Sequence, residues 1–135
     1  MILIIDDDHD RFDGLTRLFE DRASKGHPVP EIRITCVRSE IETWLPQAHA
    51  VLLDYDLDLG DTHYPDKGWR KGTAYVPMLL ATGLPVIVVS TNYEGGKLLN
   101  HQLVQAQKQP STLLRANETD PEIRWLGWLY QHGVL

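Results

Sequence analysis

The sequence has a single cysteine, Cys36, and nothing for it to pair with, so an internal disulfide framework is excluded. A reducing cytoplasm is therefore the expected compartment. Cys36 lies in an apolar stretch, which favours a buried inert thiol. No apolar run is long enough to span a bilayer, and no basic, apolar leader precedes the first structured segment. Basic excess is also lacking: a formal net charge of −6 argues against bulk electrostatic binding to DNA or RNA. Only Lys67, Arg70 and Lys71 supply a local basic patch. Repeats and low-complexity tracts are absent. What remains, at 135 residues with 42% apolar and 24% charged side chains, is one ordinary globular domain spanning 1–135.

Within it, two short apolar runs end in aspartates. Ile2-Leu3-Ile4-Ile5 leads into Asp6-Asp7-Asp8, and Val51-Leu52-Leu53 into Asp54-Tyr55-Asp56. Continuous apolar runs of this length read as buried strands of a parallel sheet. The carboxyl ends of such strands open into the crevice where α/β sheets bind ligands. If the two strands are neighbours, several carboxylates converge, and like charges that close require a compensating cation. A hard, oxygen-ligated metal site, best suited to Mg²⁺, is the expectation. The bland alternative is that these acids cap helices and turns. Two clusters after two strands, with Ser90-Thr91-Asn92 after a third, favour the pocket.

The rest of the pattern alternates strand and helix. Phe12, Leu15, Leu18, Phe19 and Arg22 mark a first helix that stops near Gly26 and Pro28. Ile32 to Val37 reads as strand two. Ser39 with Glu42 forms a capping-box pattern before a short helix closed by Pro46. Strand three is Val51 to Leu53, and Asp58 to Gly72 reads as a long loop. A third helix is expected over 73–82, ended by Gly83, then a fourth strand over 85–89 and a turn over 92–96. Leu98, Leu99, Leu103 and Val104 mark a fourth helix, ended by Pro110. Thr112 to Leu114 reads as a short fifth strand. Asp120-Pro121-Glu122 opens a last helix containing Trp125 and Trp128. Five strands alternating with helices imply a flavodoxin-like, doubly covered α/β sheet.

Other polar residues carry weaker signals. Asp8 or Asp10 is expected to cap the first helix, and His9 to be a solvated first-turn histidine. His63, Tyr64, Asp66, Lys67, Trp69 and Arg70 make the long loop cationic and aromatic, which suits a phosphate-bearing ligand as well as it suits a variable surface loop. Trp125, Trp128 and Leu129 make a wide apolar face, read as core packing or part of a homodimer surface. His27, His49, His101 and His132 show no metal-ligand spacing and are read as surface residues.

Ile4-Ile5-Asp6-Asp7 after a first strand, Asp54 ending strand three and Pro85-Val86-Ile87-Val88-Val89-Ser90 together resemble the receiver domain of bacterial response regulators. The resemblance covers most of the chain. It implies a receiver-like fold in which Asp6, Asp7 and Asp54 hold Mg²⁺, with the Asp56 backbone carbonyl as a further ligand. Asp54 would then be the phosphoacceptor, and Ser90 the hydroxyl that contacts the phosphoryl oxygen. Asp54-Tyr55-Asp56-Leu57, Gly72-Thr73 before helix three and Ser90-Thr91-Asn92 are similar to a receiver offshoot, the cyclic-phosphate processing receiver-like domains. The offshoot's histidines are replaced by Tyr55 and Val89. The receiver's lysine-proline pair after strand five is missing, and the nearest cation by position is Arg115 or Lys108.

Three functions follow as expectations. The first is a stand-alone receiver-like module, phosphorylated or ligand-bound at Asp54 and served by a phosphodonor kinase. The second is an Mg²⁺-dependent phosphoesterase acting on cyclic or terminal phosphates of nucleotides or RNA ends, using Asp54, Ser90, Asn92 and Arg115. The third is a pseudo-receiver that only binds partners.

Overall fold

A computed structural model describes residues 1–57, 71–106, 113–115, 126–127, 129–131 and 133–135. The strands are β1 (Ile2–Ile5), β2 (Ile32–Thr35), β3 (Ala50–Leu53), β4 (Val86–Ser90) and β5 (Leu113–Arg115). Between them lie α1 (Asp13–Ser24), α2 (Arg38–Trp44), α3 (Val76–Thr82) and α4 (Tyr93–Ala106). Among the described residues the strands all pair in parallel, in the order β2-β1-β3-β4-β5. This is the flavodoxin-like order expected from the alternation of elements.

Alternation along the strands sorts the core into two layers, because successive side chains leave a sheet on opposite faces. Leu3, Ile5, Val51, Leu53, Val86 and Val88 pack with Ile41 of α2, Leu79 of α3 and Leu99 and Leu103 of α4. Ile2, Ile4, Ala50, Leu52, Ile87 and Val89 pack with Phe12, with Leu15 and Phe19 of α1, and with Leu129. Each fully buried Leu, Ile or Phe is worth about 1.5–3 kcal/mol over an exposed one. Both faces being covered explains why these strands are apolar without interruption.

Several local expectations change. A 3-10 turn, His9–Phe12, precedes α1, and neither Asp8 nor Asp10 caps that helix: its N-cap is Phe12, with no side-chain cap. The capping box at Ser39 does not form, since α2 starts two residues earlier than that cap requires, after Val37. Instead the Thr35 hydroxyl accepts the Val37 N–H at 3.0 Å and donates to Glu40 at 2.5 Å. Pro46 lies inside a 3-10 turn, Leu45–Gln47, that continues α2. The expected turn over 92–96 is the start of α4, with Gly95 and Gly96 inside the helix. Gly83 does end α3, in the left-handed region at φ 68°. Residues 126–127 and 129–131 are helical, as expected of the last helix. The proposed start of that helix at Asp120, with Trp125 and Trp128, lies outside the described residues, as do His63 through Arg70, Lys108 and His132.

Candidate functional site

Register brings the two aspartate clusters together. Ile5 of β1 pairs with Leu53 of β3, and the ladder runs one residue beyond both strands. The Asp6 N–H donates to Thr35 O at 3.1 Å, and the Asp54 N–H to Ile5 O at 2.9 Å. Two aspartates that each follow a strand by one residue therefore stand side by side at its carboxyl end. Asp6 is fully buried and Asp54 is 2% exposed. One oxygen from each of Asp6, Asp7 and Asp54 can be chosen so that all three lie within 4.8 Å of one another.

Further bonds orient two of these carboxylates and the residues beside them. Asp6 Oδ1 accepts the Asp8 N–H at 2.8 Å, and Asp54 Oδ1 accepts the Tyr55 N–H at 2.7 Å. The Ser90 hydroxyl, buried at the end of β4, favours the charged form of Asp54, and its oxygen accepts the Asn92 N–H at 3.2 Å. Asn92 caps α4: its Oδ1 accepts the Gly95 N–H at 2.9 Å. Its Nδ2 donates to Asp56 at 3.0 Å. Asp56 also pairs with Lys71, whose ammonium lies 5.1 Å from the Tyr55 ring centroid. The Asp56 carboxylate is thus held at the rim, apart from the Asp6, Asp7 and Asp54 cluster.

Arg11 was not foreseen. From the 3-10 turn its Nη1 donates to Asp6 Oδ2 at 2.8 Å and faces Asp54 Oδ2 at 3.4 Å. Nothing in its local pattern marks it. The available signal was the charge imbalance itself, since Arg11 is the first basic residue after an acid pair that needs a cation.

Burial dominates the electrostatics. It pushes the Asp6 carboxyl up to about 7; Asp54 and Asp7 reinforce this, while the Asp8 amide and Arg11 oppose it. Burial also raises Asp54, against the opposing pull of Arg11, Ser90 and the Tyr55 amide. Asp56 goes the other way. Burial is the largest single influence and raises it, but Lys71 and Asn92 together outweigh that and hold it below the ordinary carboxylate range. Cys36, half-buried near Asp7 and Asp6, is pushed up to about 11, chiefly by burial.

Other expected residues fall outside this cluster. Arg115 ends β5, and its Cα pairs in register with Ser90. His9, His27 and His101 are exposed. His49 is exposed and bonds the amino terminus through Nδ1 at 2.8 Å. Leu129 is buried in the core, which answers part of the apolar face assigned to the last helix.

No protein-family profile matches the chain, and no curated protein matches it in sequence. Solved structures do. The receiver domain of NtrX from Brucella abortus superposes with a TM-score of 0.65 at 18% identity, over 98% of this chain and 97% of that one. The chain has a receiver fold. A two-component transcriptional regulator AraC from Clostridium phytofermentans ISDg gives a TM-score of 0.60 at 19% identity, over 99% and 98% of the two chains. A CheY-like receiver domain protein from Methanospirillum hungatei JF-1 gives 0.59 at 18%, over 98% and 94%. On this receiver fold, the acidic cluster sits at the carboxyl ends of β1 and β3. Among the described residues, no helix is long and apolar enough to cross a membrane.

The donor set suits a hard divalent cation. Mg²⁺ holds its oxygens at about 2.1 Å, so ligands on opposite sides of it lie about 4.2 Å apart. At most one pair among three ligands can be opposite, so Asp6, Asp7 and Asp54, whose oxygens lie within 4.8 Å of one another, would draw together on binding.

Proposed function

We propose that this receiver fold binds Mg²⁺ through Asp6, Asp7 and Asp54, with the Asp56 carbonyl as a further ligand, and takes a phosphoryl group or a phosphate-bearing ligand at Asp54. The supporting observation is the convergence of the three carboxylates, with the buried Ser90 hydroxyl favouring the charged form of Asp54. Bound there, Mg²⁺ would offset negative charge on the transferring oxygens. The chain's own residues do the rest. An Asp54 oxygen forms the bond to phosphorus while the donor's leaving group departs with its electron pair. The Ser90 hydroxyl donates to a phosphoryl oxygen. Arg115, whose Cα pairs with Ser90 in the sheet, is the candidate for the missing receiver lysine. The donor is a kinase or a small acyl phosphate, and output passes through protein contact, a second copy included.

A second reading is hydrolysis of cyclic or terminal phosphates in nucleotides or RNA. It draws on the Ser90-Thr91-Asn92 element standing beside Asp56. Both ends of the Asn92 amide are already engaged, which favours a positioning role and the first reading.

One experiment separates these readings. The protein is incubated with Mg²⁺ and beryllium fluoride or acetyl phosphate, and backbone amide shifts are followed. The first reading expects shifts at Tyr55 and Ser90 that Asp54→Asn abolishes. Turnover of a 2′,3′-cyclic nucleotide without those shifts would replace it with the second. No Mg²⁺-dependent change at all would leave a module that only binds partners.

A further inference from the structure

Arg11 occupies the position that the metal reading needs. Asp6 and Asp54 each give Oδ1 to a backbone amide and turn Oδ2 toward the same nitrogen, Arg11 Nη1. The oxygens not already held by the main chain are therefore both facing the guanidinium. A guanidinium cannot lose its charge near neutral pH, so it cannot make room by deprotonating. Two cations in one small pocket repel, and only movement of the side chain relieves that.

The surroundings permit such movement. Arg11 is 15% exposed, so one side of it reaches solvent. Phe12, the next residue, is buried in the core and fixes the 3-10 turn, leaving the long arginine side chain as the mobile part. Outside the pocket waits Asp8, whose half-exposed carboxylate Oδ2 is 4.0 Å from Arg11 Nε.

We propose that Arg11 is a built-in counter-ion that holds the site closed without metal and must release Asp6 and Asp54, moving toward Asp8, before a divalent cation binds. This rests on the metal reading above and adds to it a competitor within the same chain. Metal occupancy then becomes a partner exchange rather than the filling of a preformed cage. The site's apparent affinity for Mg²⁺ is set by the arginine as much as by the acids.

The test is Mg²⁺ binding by calorimetry on the whole chain, comparing wild type with Arg11→Ala and Arg11→Gln, and with Arg17→Ala as a control on the exposed face of α1. Removing the competing charge is expected to tighten Mg²⁺ by about tenfold or more at low salt, with a smaller gain at high salt. Arg17→Ala should bind like wild type. The wild type gives an independent readout that does not depend on a variant folding. Its Arg11 guanidinium nitrogen resonances should shift, and their protons exchange faster, as Mg²⁺ saturates. Equal or weaker binding by both Arg11 variants overturns the exchange and leaves the metal site standing. So do guanidinium resonances that stay fixed while the Asp7 and Tyr55 amides move. Failure of wild type and variants alike to bind Mg²⁺ overturns both readings.

Discussion

Replacing Gly72 by alanine puts a methyl group where the main chain of Asp54 already lies. An added Cβ would sit 2.1 Å from the Asp54 carbonyl oxygen, 3.1 Å from its carbonyl carbon and 3.1 Å from Leu99 Cδ2. Carbon and oxygen rest comfortably at about 3.3 Å or more, so one backbone must retreat by about 1.2 Å. Neither has slack. Gly72 is buried, and its N–H donates to Tyr55 O at 2.7 Å, a bond that retreat would break. Overpacking costs about 1–3 kcal/mol and the lost hydrogen bond about 1 kcal/mol. Together these give about 2–4 kcal/mol, or a melting temperature lower by roughly 10 °C for a chain of this size. Calorimetry measures that loss. Because the strain falls on Asp54 itself, Gly72→Ala should also blunt the beryllium fluoride response at temperatures where the variant is folded. Gly83→Ala is the control, since a Cβ there meets nothing within 4 Å and only the positive φ of 68° is penalised. It should cost about 1 kcal/mol and leave the response intact. A Gly72→Ala protein as stable and as responsive as wild type would refute the reasoning.

Three more predictions concern the site and its supports. Metal-free protein should lose stability as pH rises from about 4 to about 7, because a carboxyl raised from 3.8 to about 7 binds its proton more tightly when folded. At about 1.4 kcal/mol per pH unit, Asp6 accounts for up to about 4 kcal/mol over that window; in urea titrations at several pH values, Asp6→Asn should remove that component. Asn92→Ala should cost about 1 kcal/mol through loss of the α4 cap, while Asn92→Asp keeps the cap but repels Asp56, so paired urea titrations should rank them differently at pH 4 and pH 8. Phe12→Ala should lower stability by about 3–5 kcal/mol by opening a cavity beneath the turn that carries Arg11, and the same variant should bind Mg²⁺ with altered affinity in calorimetry.

How much of this was readable beforehand follows from which interactions are local. Asp6, Asp54 and Ser90 were legible because each ends an uninterrupted apolar strand, and parallel register carries strand ends to one edge. Arg11 was not, because its role depends on which carboxylates face it across the β1–β3 boundary. Gly95 and Gly96 misled for a tertiary reason. Glycine is a poor helix former, so the pair read as a turn. Yet a Cβ on Gly95 would lie 2.2 Å from the Tyr55 ring, so the helix accepts the weak former to let that ring pack against its first turn. The capping box failed by two residues, displaced by the Thr35 hydroxyl at the preceding strand end.

The bridge between Asp56 and Lys71 has a meaning for how Asp54 is held. It is an isolated antiparallel pairing, reinforced by the ion pair between the same two side chains. The intervening chain leaves and returns at one fixed point, and Asp54 and Gly72 are anchored on either side of it. Closing a longer loop costs little more than closing a shorter one, because the entropy grows only logarithmically with length. The length of chain between these two anchors therefore bears little on how Asp54 and Gly72 are held. The seat of Asp54 is thus set by two short flanking segments rather than by everything that separates them.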